Sequence, residues 1–185
     1  ANLVSDLYAV TGDILHKKGE EQEAFAAYDS CLQWKDDNVM ALNNYAYYLS
    51  EKGVDLHKAE SMSYKTIKAE PNNGTYLDTY AWILFMEERY ADAKTYIDQA
   101  LKNRDSTADN STVLEHAGDI YYMNGMADES VDFWKKAYTG ENQTEVLAWK
   151  IKNRQYITEE ELKKRNAPKQ KPAATKKSVR KGKKK

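Results

Sequence analysis

Between residues 5 and 142, apolar and small residues return four times in the same rhythm. In one stretch they fall at Leu77, Tyr80, Ala81, Leu84 and Phe85, the alternating three-and-four spacing that keeps side chains on one face of an α-helix. The stretch is interrupted by "MEERY", and its three counterparts by "KKGEE", "EKGVD" and "NGMAD". Each interruption puts glycine or charge where a helix has to end. The pattern predicts an all-α chain of four antiparallel helix pairs. Beyond Asn142, "TEVLAWKIKNRQYI" sets Val146, Leu147 and Ile151 on one side, with Lys150, Lys152 and Arg154 elsewhere. One apolar and one charged face predicts a terminal helix over about 145–157 that covers the last pair.

Small residues keep the same register. Gly12, Ala46, Ala81 and Gly118 are spaced 34, 35 and 37 apart, and Ala24, Ala59, Ala93 and Ser130 follow them by 12 or 13 positions. Cys31, Thr66, Ala100 and Ala137 come seven further on, and breaks fall near Asp36, Pro71, Asp105 and Asn142. Large residues agree, with Tyr8, Leu42, Leu77 and Leu114 four before the first small residue and Leu15, Leu49, Leu84 and Tyr121 three after it. A glycine inside a helix costs about 1 kcal/mol relative to alanine. Gly118 is therefore expected where two helices cross and a larger side chain would hold their backbones apart.

A period near 34 residues with small residues in these registers resembles the tetratricopeptide repeat. The resemblance is strongest in "NNYAYYLSEKGVDLHKAESMSYKTIKAEP" and "YLDTYAWILFMEERYADAKTYIDQAL". It departs from the family pattern in Ser130, in having Pro71 as its one terminal proline, and in three extra residues within "RDSTADNS". It implies a right-handed α-solenoid of about four helix-turn-helix units, at about 5–38, 39–73, 74–107 and 111–144, closed by the capping helix. Residues 158–185 are then a charged linker and a disordered lysine-rich tail.

The same resemblance implies that the first helix of each pair lines a concave face. Carried over residue by residue, the candidate peptide-binding positions are Asn43, Asn44 and Tyr47; Asp78, Trp82 and Phe85; and Glu115, His116, Asp119 and Tyr122. Asn43 and Asn44 are expected to hydrogen-bond an extended peptide while the aromatic surfaces accept its side chains. Asp78, Glu115 and Asp119 are expected to favour neutral or basic ligands. The cations with which some family members grip a C-terminal carboxylate have no counterpart on this face except Lys17. The wider arrangement is also similar to the C-terminal repeats of bacterial cell-envelope tetratricopeptide proteins, some of them lipoproteins. That implies an adaptor with a protein partner and points towards the envelope or periplasm.

Composition changes this picture in one respect. Over 185 residues, 41% hydrophobic and 31% charged content suits a globular chain able to bury a core, and the formal net charge is −1. That near-neutrality hides a division: residues 163–185 hold 12 basic and no acidic residues, leaving 16 basic against 29 acidic ahead of them. Val179 is the only aliphatic residue larger than alanine in that block, too little to offset the entropy of ordering. Lys176, Lys177, Arg180, Lys181, Lys183, Lys184 and Lys185 are candidates for holding a polyanion, nucleic acid or an anionic surface. "KPAATKKSVRKGKKK" also resembles a bipartite nuclear import signal; in a chain otherwise similar to bacterial proteins, a solvated or polyanion-binding tail is expected instead.

Enzyme chemistry is not foreseen. The histidines are His16, His57 and His116, and no H-E-x-x-H, G-x-S-x-G or glycine-rich phosphate loop occurs. The acidic pairs beginning at Glu87 and Glu159 are read as solvated surface, and Cys31 alone excludes an internal disulfide framework. No metal or cofactor is expected. The first ten residues lack a basic segment followed by an apolar one, and no stretch nears the roughly 18 apolar residues that span a bilayer. The expected function is a non-enzymatic protein-binding scaffold, with polyanion binding through the tail as the alternative.

Overall fold

The structure is a computed structural model that describes residues 2–168. The tail positions singled out above, Lys176, Lys177, Arg180, Lys181, Lys183, Lys184 and Lys185, lie outside the described residues. Four helical hairpins follow one another: α1 (Asn2–Lys17) with α2 (Glu21–Trp34), α3 (Val39–Lys52) with α4 (Leu56–Ala69), α5 (Gly74–Met86) with α6 (Tyr90–Asn103), and α7 (Ser111–Met123) with α8 (Ala127–Ala137). Two short helices follow among the described residues, α9 (Glu145–Asn153) and α10 (Glu159–Asn166). The described residues contain no strand. Hairpins stack in order, α2 on α3, α4 on α5 and α6 on α7, while α3, α5 and α7 lie side by side as one layer of first helices, the side expected to be the inner face.

Local chemistry sets the helix ends. Asn38 and Asn73 cap α3 and α5 by accepting hydrogen bonds from the free backbone N–H groups of the first turn, at 3.1 Å from Ala41 and 3.1–3.2 Å from Thr75 and Tyr76. The turn inside each hairpin falls seven residues after the small residue and has left-handed backbone in all four: Gly19 (φ 79°), Gly53 (φ 66°), Glu88 (φ 61°) and Gly125 (φ 78°). Glu88 takes this conformation with a side chain attached, at a cost the three glycines avoid. The lengthened third connection is held by its own side chains, with the Asp105 carboxylate accepting from the Thr107 backbone at 2.9 Å and the Asp109 carboxylate from the Ser111 backbone at 2.9 Å.

All three small-residue registers are buried. The reason for the two glycines differs from the one expected. A Cβ on Gly12 would stand 2.8 Å from the Tyr28 ring, and one on Gly118 would run into the Trp134 indole. A side chain rather than a crossing backbone fills the space. Sixteen residues after the small residue come Tyr28, Met62, Ile97 and Trp134. Glycine therefore lies beneath the two aromatic rings, and alanine suffices beneath methionine and isoleucine.

The C-terminal end corrects the expected layout. The capping helix stops at Asn153 rather than near 157, the chain reverses at Arg154 (φ 54°), and Glu159–Asn166 forms α10 where a linker and tail were expected. Ile157 and Leu162 are buried and anchor this helix. Thr158 and Glu161 form a reciprocal capping box, and Lys163 and Lys164 pair one turn back with Glu159 and Glu160 at 2.6 and 2.7 Å. The change of charge at residue 163 divides acidic first turn from basic last turn within one helix, the arrangement its dipole favours.

Candidate functional site

Most of the residues assigned to the inner face gather around two adjoining clefts. The first, of about 640 Å³, is lined by Asn43, Asn44, Tyr47 and Asp78 together with Thr79 and Arg104. The second, of about 450 Å³, is lined by Tyr47, Trp82, Glu115, His116 and Asp119, with Lys150 and Tyr156 on its far wall. Tyr47 stands between the two. Phe85 is buried behind Trp82, and Tyr122 packs against Trp134 with centroids 5.9 Å apart and lines neither cleft.

Helical spacing puts these side chains in line. Trp82 and Phe85, one turn apart on α5, stack with centroids 4.7 Å apart. The other face of the indole stacks on His116 of α7 at 4.1 Å and 14°, and Tyr47 of α3 approaches the same imidazole at 6.2 Å. Phe85 meets Tyr156 edge-on at 5.7 Å. The result is an aromatic row crossing three hairpins, with Tyr47 and Trp82 partly exposed. Burial, with smaller contributions from Glu51 and Asp78, pushes the Tyr47 hydroxyl well above its ordinary range, so it stays a neutral donor.

Two polar groups at this face lack partners among the described residues: the Asn43 carbonyl oxygen and the Trp82 indole nitrogen, both buried. Asn43 donates to the Asn44 side chain at 3.2 Å, and Asn44 donates at 3.0 Å to Asp13, which also accepts from the Tyr28 hydroxyl. These bonds fix the amides at the edge of the first cleft.

The carboxylates differ from expectation in what is left to attract a ligand. Asp78 is buried against His116 Nδ1 at 2.9 Å. Asp119 accepts from Lys150 Nζ at 2.8 and 2.9 Å and from Trp134 Nε1 at 2.9 Å, and Glu115 accepts from Lys150 at 3.2 Å. Burial alone would lower the His116 pKa; Asp78, joined by Asp119 and Glu115, outweighs it and raises it. Burial raises the Asp119 carboxyl against the pull of Lys150. The three acids are thus engaged internally, Asp78 with His116 and both Asp119 and Glu115 with the one Lys150.

Lys150 and Tyr156 are the residues that the reading of the sequence missed. Lys150 is expected with Lys152 and Arg154 away from the apolar side of the helix, yet it is 4% exposed. Its position was legible: Val146, Leu147, Lys150 and Ile151 share one face of α9. Tyr156 lies in the extended segment after α9 and carried no periodic signal.

Elsewhere, ligand atoms of His57, Glu60 and Glu87 converge within 4.8 Å of one another. The Arg89 guanidinium already occupies this position, donating to Glu60 at 2.8 Å and to Glu87 at 3.3 Å.

No family model matches the chain. Over 66 residues, 36% of its length, it is 35% identical to a TPR repeat-containing protein of Pseudomonas aeruginosa, and the match spans 11% of that relative. Among solved structures it is similar to PilF of Pseudomonas aeruginosa, with TM-score 0.68 and 16% identity over 82% of this chain and 67% of that one. It is also similar to YrrB, described as a TPR protein with an unusual peptide-binding site, with TM-score 0.56 and 18% identity over 80% and 74% of the two chains. At these identities the likeness is one of fold.

Proposed function

We propose that this chain, a tetratricopeptide-repeat protein, is a non-enzymatic scaffold that holds an extended segment of a partner protein on its inner face. The observation that carries this reading is the partly open aromatic row of Tyr47, Trp82 and His116 between two clefts. An extended peptide presents alternate side chains to such a row and leaves backbone groups to be paired at its edge. Asn44, partly exposed at the edge of the first cleft, offers its side-chain amide to the peptide backbone. With Asp78, Glu115 and Asp119 already hydrogen-bonded to His116 and Lys150, the aromatic surface sets the preference, and the favoured ligand is a segment carrying a large apolar or aromatic residue. Aromatic anchors of this kind carry most of the affinity where they dominate an interface.

A random peptide library displayed on phage and panned against the intact chain tests the reading. Enriched peptides should carry aromatic or large aliphatic residues. They should lose at least about tenfold in affinity for a chain with Trp82→Ala and Asn44→Ala, equivalent to about 1.4 kcal/mol, with helicity retained. Peptides that bind the doubly substituted chain equally well relocate the site. The alternative, polyanion capture through the cations from Lys176 to Lys185, has the charge division of the sequence in its favour. It predicts retention on heparin that disappears when residues 169–185 are removed.

A further inference from the structure

The outer face of α1 is apolar and open. Leu3, Leu7, Val10 and Ile14 are 72%, 60%, 48% and 50% exposed, and their spacing of four, three and four places them along one side of the helix. The repeat register identifies that side. Relative to the small residue of each first helix, Leu7, Val10 and Ile14 correspond to Ala41, Asn44 and Tyr48 of α3, to Tyr76, Thr79 and Ile83 of α5, and to Val113, His116 and Ile120 of α7. In those three helices the register faces the preceding hairpin. Ile83 is 0% exposed and belongs to the apolar cluster of Ala46, Ala59 and Met62, one hairpin back. Ile120, also 0% exposed, belongs to that of Ile97 and Ala100. Asn44 and His116 reach back in the same way to Asp13 and Asp78.

We propose that the outer face of α1 is a stacking face for one further helical hairpin of the tetratricopeptide type, with its second helix laid against Leu7, Val10 and Ile14 as α4 is laid against α5. The argument is continuity: the same register is covered by a preceding hairpin at each of the three joints present. The chemistry of the stripe agrees. Its four side chains carry no hydrogen-bonding group, so an occupant must satisfy its own backbone, which a helix does and an extended segment does not. This face is separate from the inner clefts, and the proposal does not depend on what they bind.

A chain in which a copy of residues 39–73 replaces residues 1–4 supplies such a hairpin in register. It should unfold in one transition with a midpoint at least about 4 °C above the intact chain and should bind less anilinonaphthalenesulfonate. Leu7→Ser combined with Ile14→Ser should abolish that gain, while shifting the midpoint of the unextended chain by no more than about 2 °C, as substitutions of exposed residues do. A separate transition for the added hairpin, or a gain that survives both substitutions, would overturn the proposal. Sedimentation of the unextended chain should show a monomer; a dimer dissociated by the same substitutions would assign the face to a second copy and reject the hairpin.

Discussion

The outer hairpins and the inner ones use one register position for opposite purposes. In the first and fourth, the small residue is followed by an aspartate, in Gly12-Asp13 and Gly118-Asp119. The glycine admits an aromatic ring from the second helix, and the aspartate accepts that ring's polar hydrogen, from Tyr28 in one case and from Trp134 at 2.9 Å in the other. In the second and third the same positions read Ala46-Tyr47 and Ala81-Trp82. There the second helix contributes Met62 and Ile97, which need no acceptor, and the following residue is left to face the inner clefts. One fold element thus serves packing at the ends and presents aromatic surface in the middle.

Breaking the fourth hairpin's polar core should cost most. Lys150→Ala leaves Asp119 buried beside Glu115 without its cation, and removal of one partner from such a pair costs about 3–5 kcal/mol; urea unfolding measures it. The combined change Asp119→Asn with Lys150→Met should cost less than the sum of the separate changes.

Overpacking comes next. Gly118→Leu should destabilise by about 3 kcal/mol because the Trp134 indole must move, and Gly12→Ala by about 1–2 kcal/mol because a single methyl approaches the Tyr28 ring less closely than a Cβ on Gly118 approaches the indole. Ala46→Gly at the same register should cost only the helix-propensity difference of about 1 kcal/mol. Equal losses at all three positions would remove the distinction between outer and inner hairpins.

A pH dependence is expected from His116. Its folded-state pKa is raised above the ordinary 6.5, so the stabilisation from the protonated ring is complete below pH 6.5 and is lost as pH rises through the higher folded value. Stability measured upward from pH 6.5 should fall, and His116→Gln should flatten the profile. The smallest effect is a gain: Glu88→Gly relieves left-handed backbone at an exposed turn and should stabilise by about 1 kcal/mol, raising the melting midpoint by about 2–4 °C.

The parts of this comparison that the sequence discloses are those written in short-range spacing. Four hairpins, their turns and the three buried small-residue registers follow from intervals of three, four and seven. The aromatic row was foreseen in its members, since Tyr47, Trp82 and His116 occupy first-helix positions of successive repeats. Their internal pairing was not, because Asp78 meets a histidine 38 residues away and Asp119 a lysine 31 residues away, and no local interval encodes either meeting. The last helix was hidden for another reason. A lysine block looks like a solvated tail until Leu162 and the pairs to Glu159 and Glu160 are counted with it. Gly118 is legible as a packing device and Gly12 as its counterpart in the register, but the ring each one admits is contributed by the second helix of its hairpin.

The central claim is that, at the position after the small residue, the inner hairpins turn an aromatic side chain towards the proposed binding clefts while the outer ones spend that position on packing. It is tested most directly by the affinity of one enriched peptide, measured by titration calorimetry, for Trp82→Leu and for Tyr28→Phe. Trp82→Leu should weaken binding more than about tenfold. Tyr28→Phe removes the hydrogen bond to Asp13 and should lower stability by about 1 kcal/mol with affinity unchanged. Full affinity in Trp82→Leu, together with a loss in Tyr28→Phe, would contradict the account.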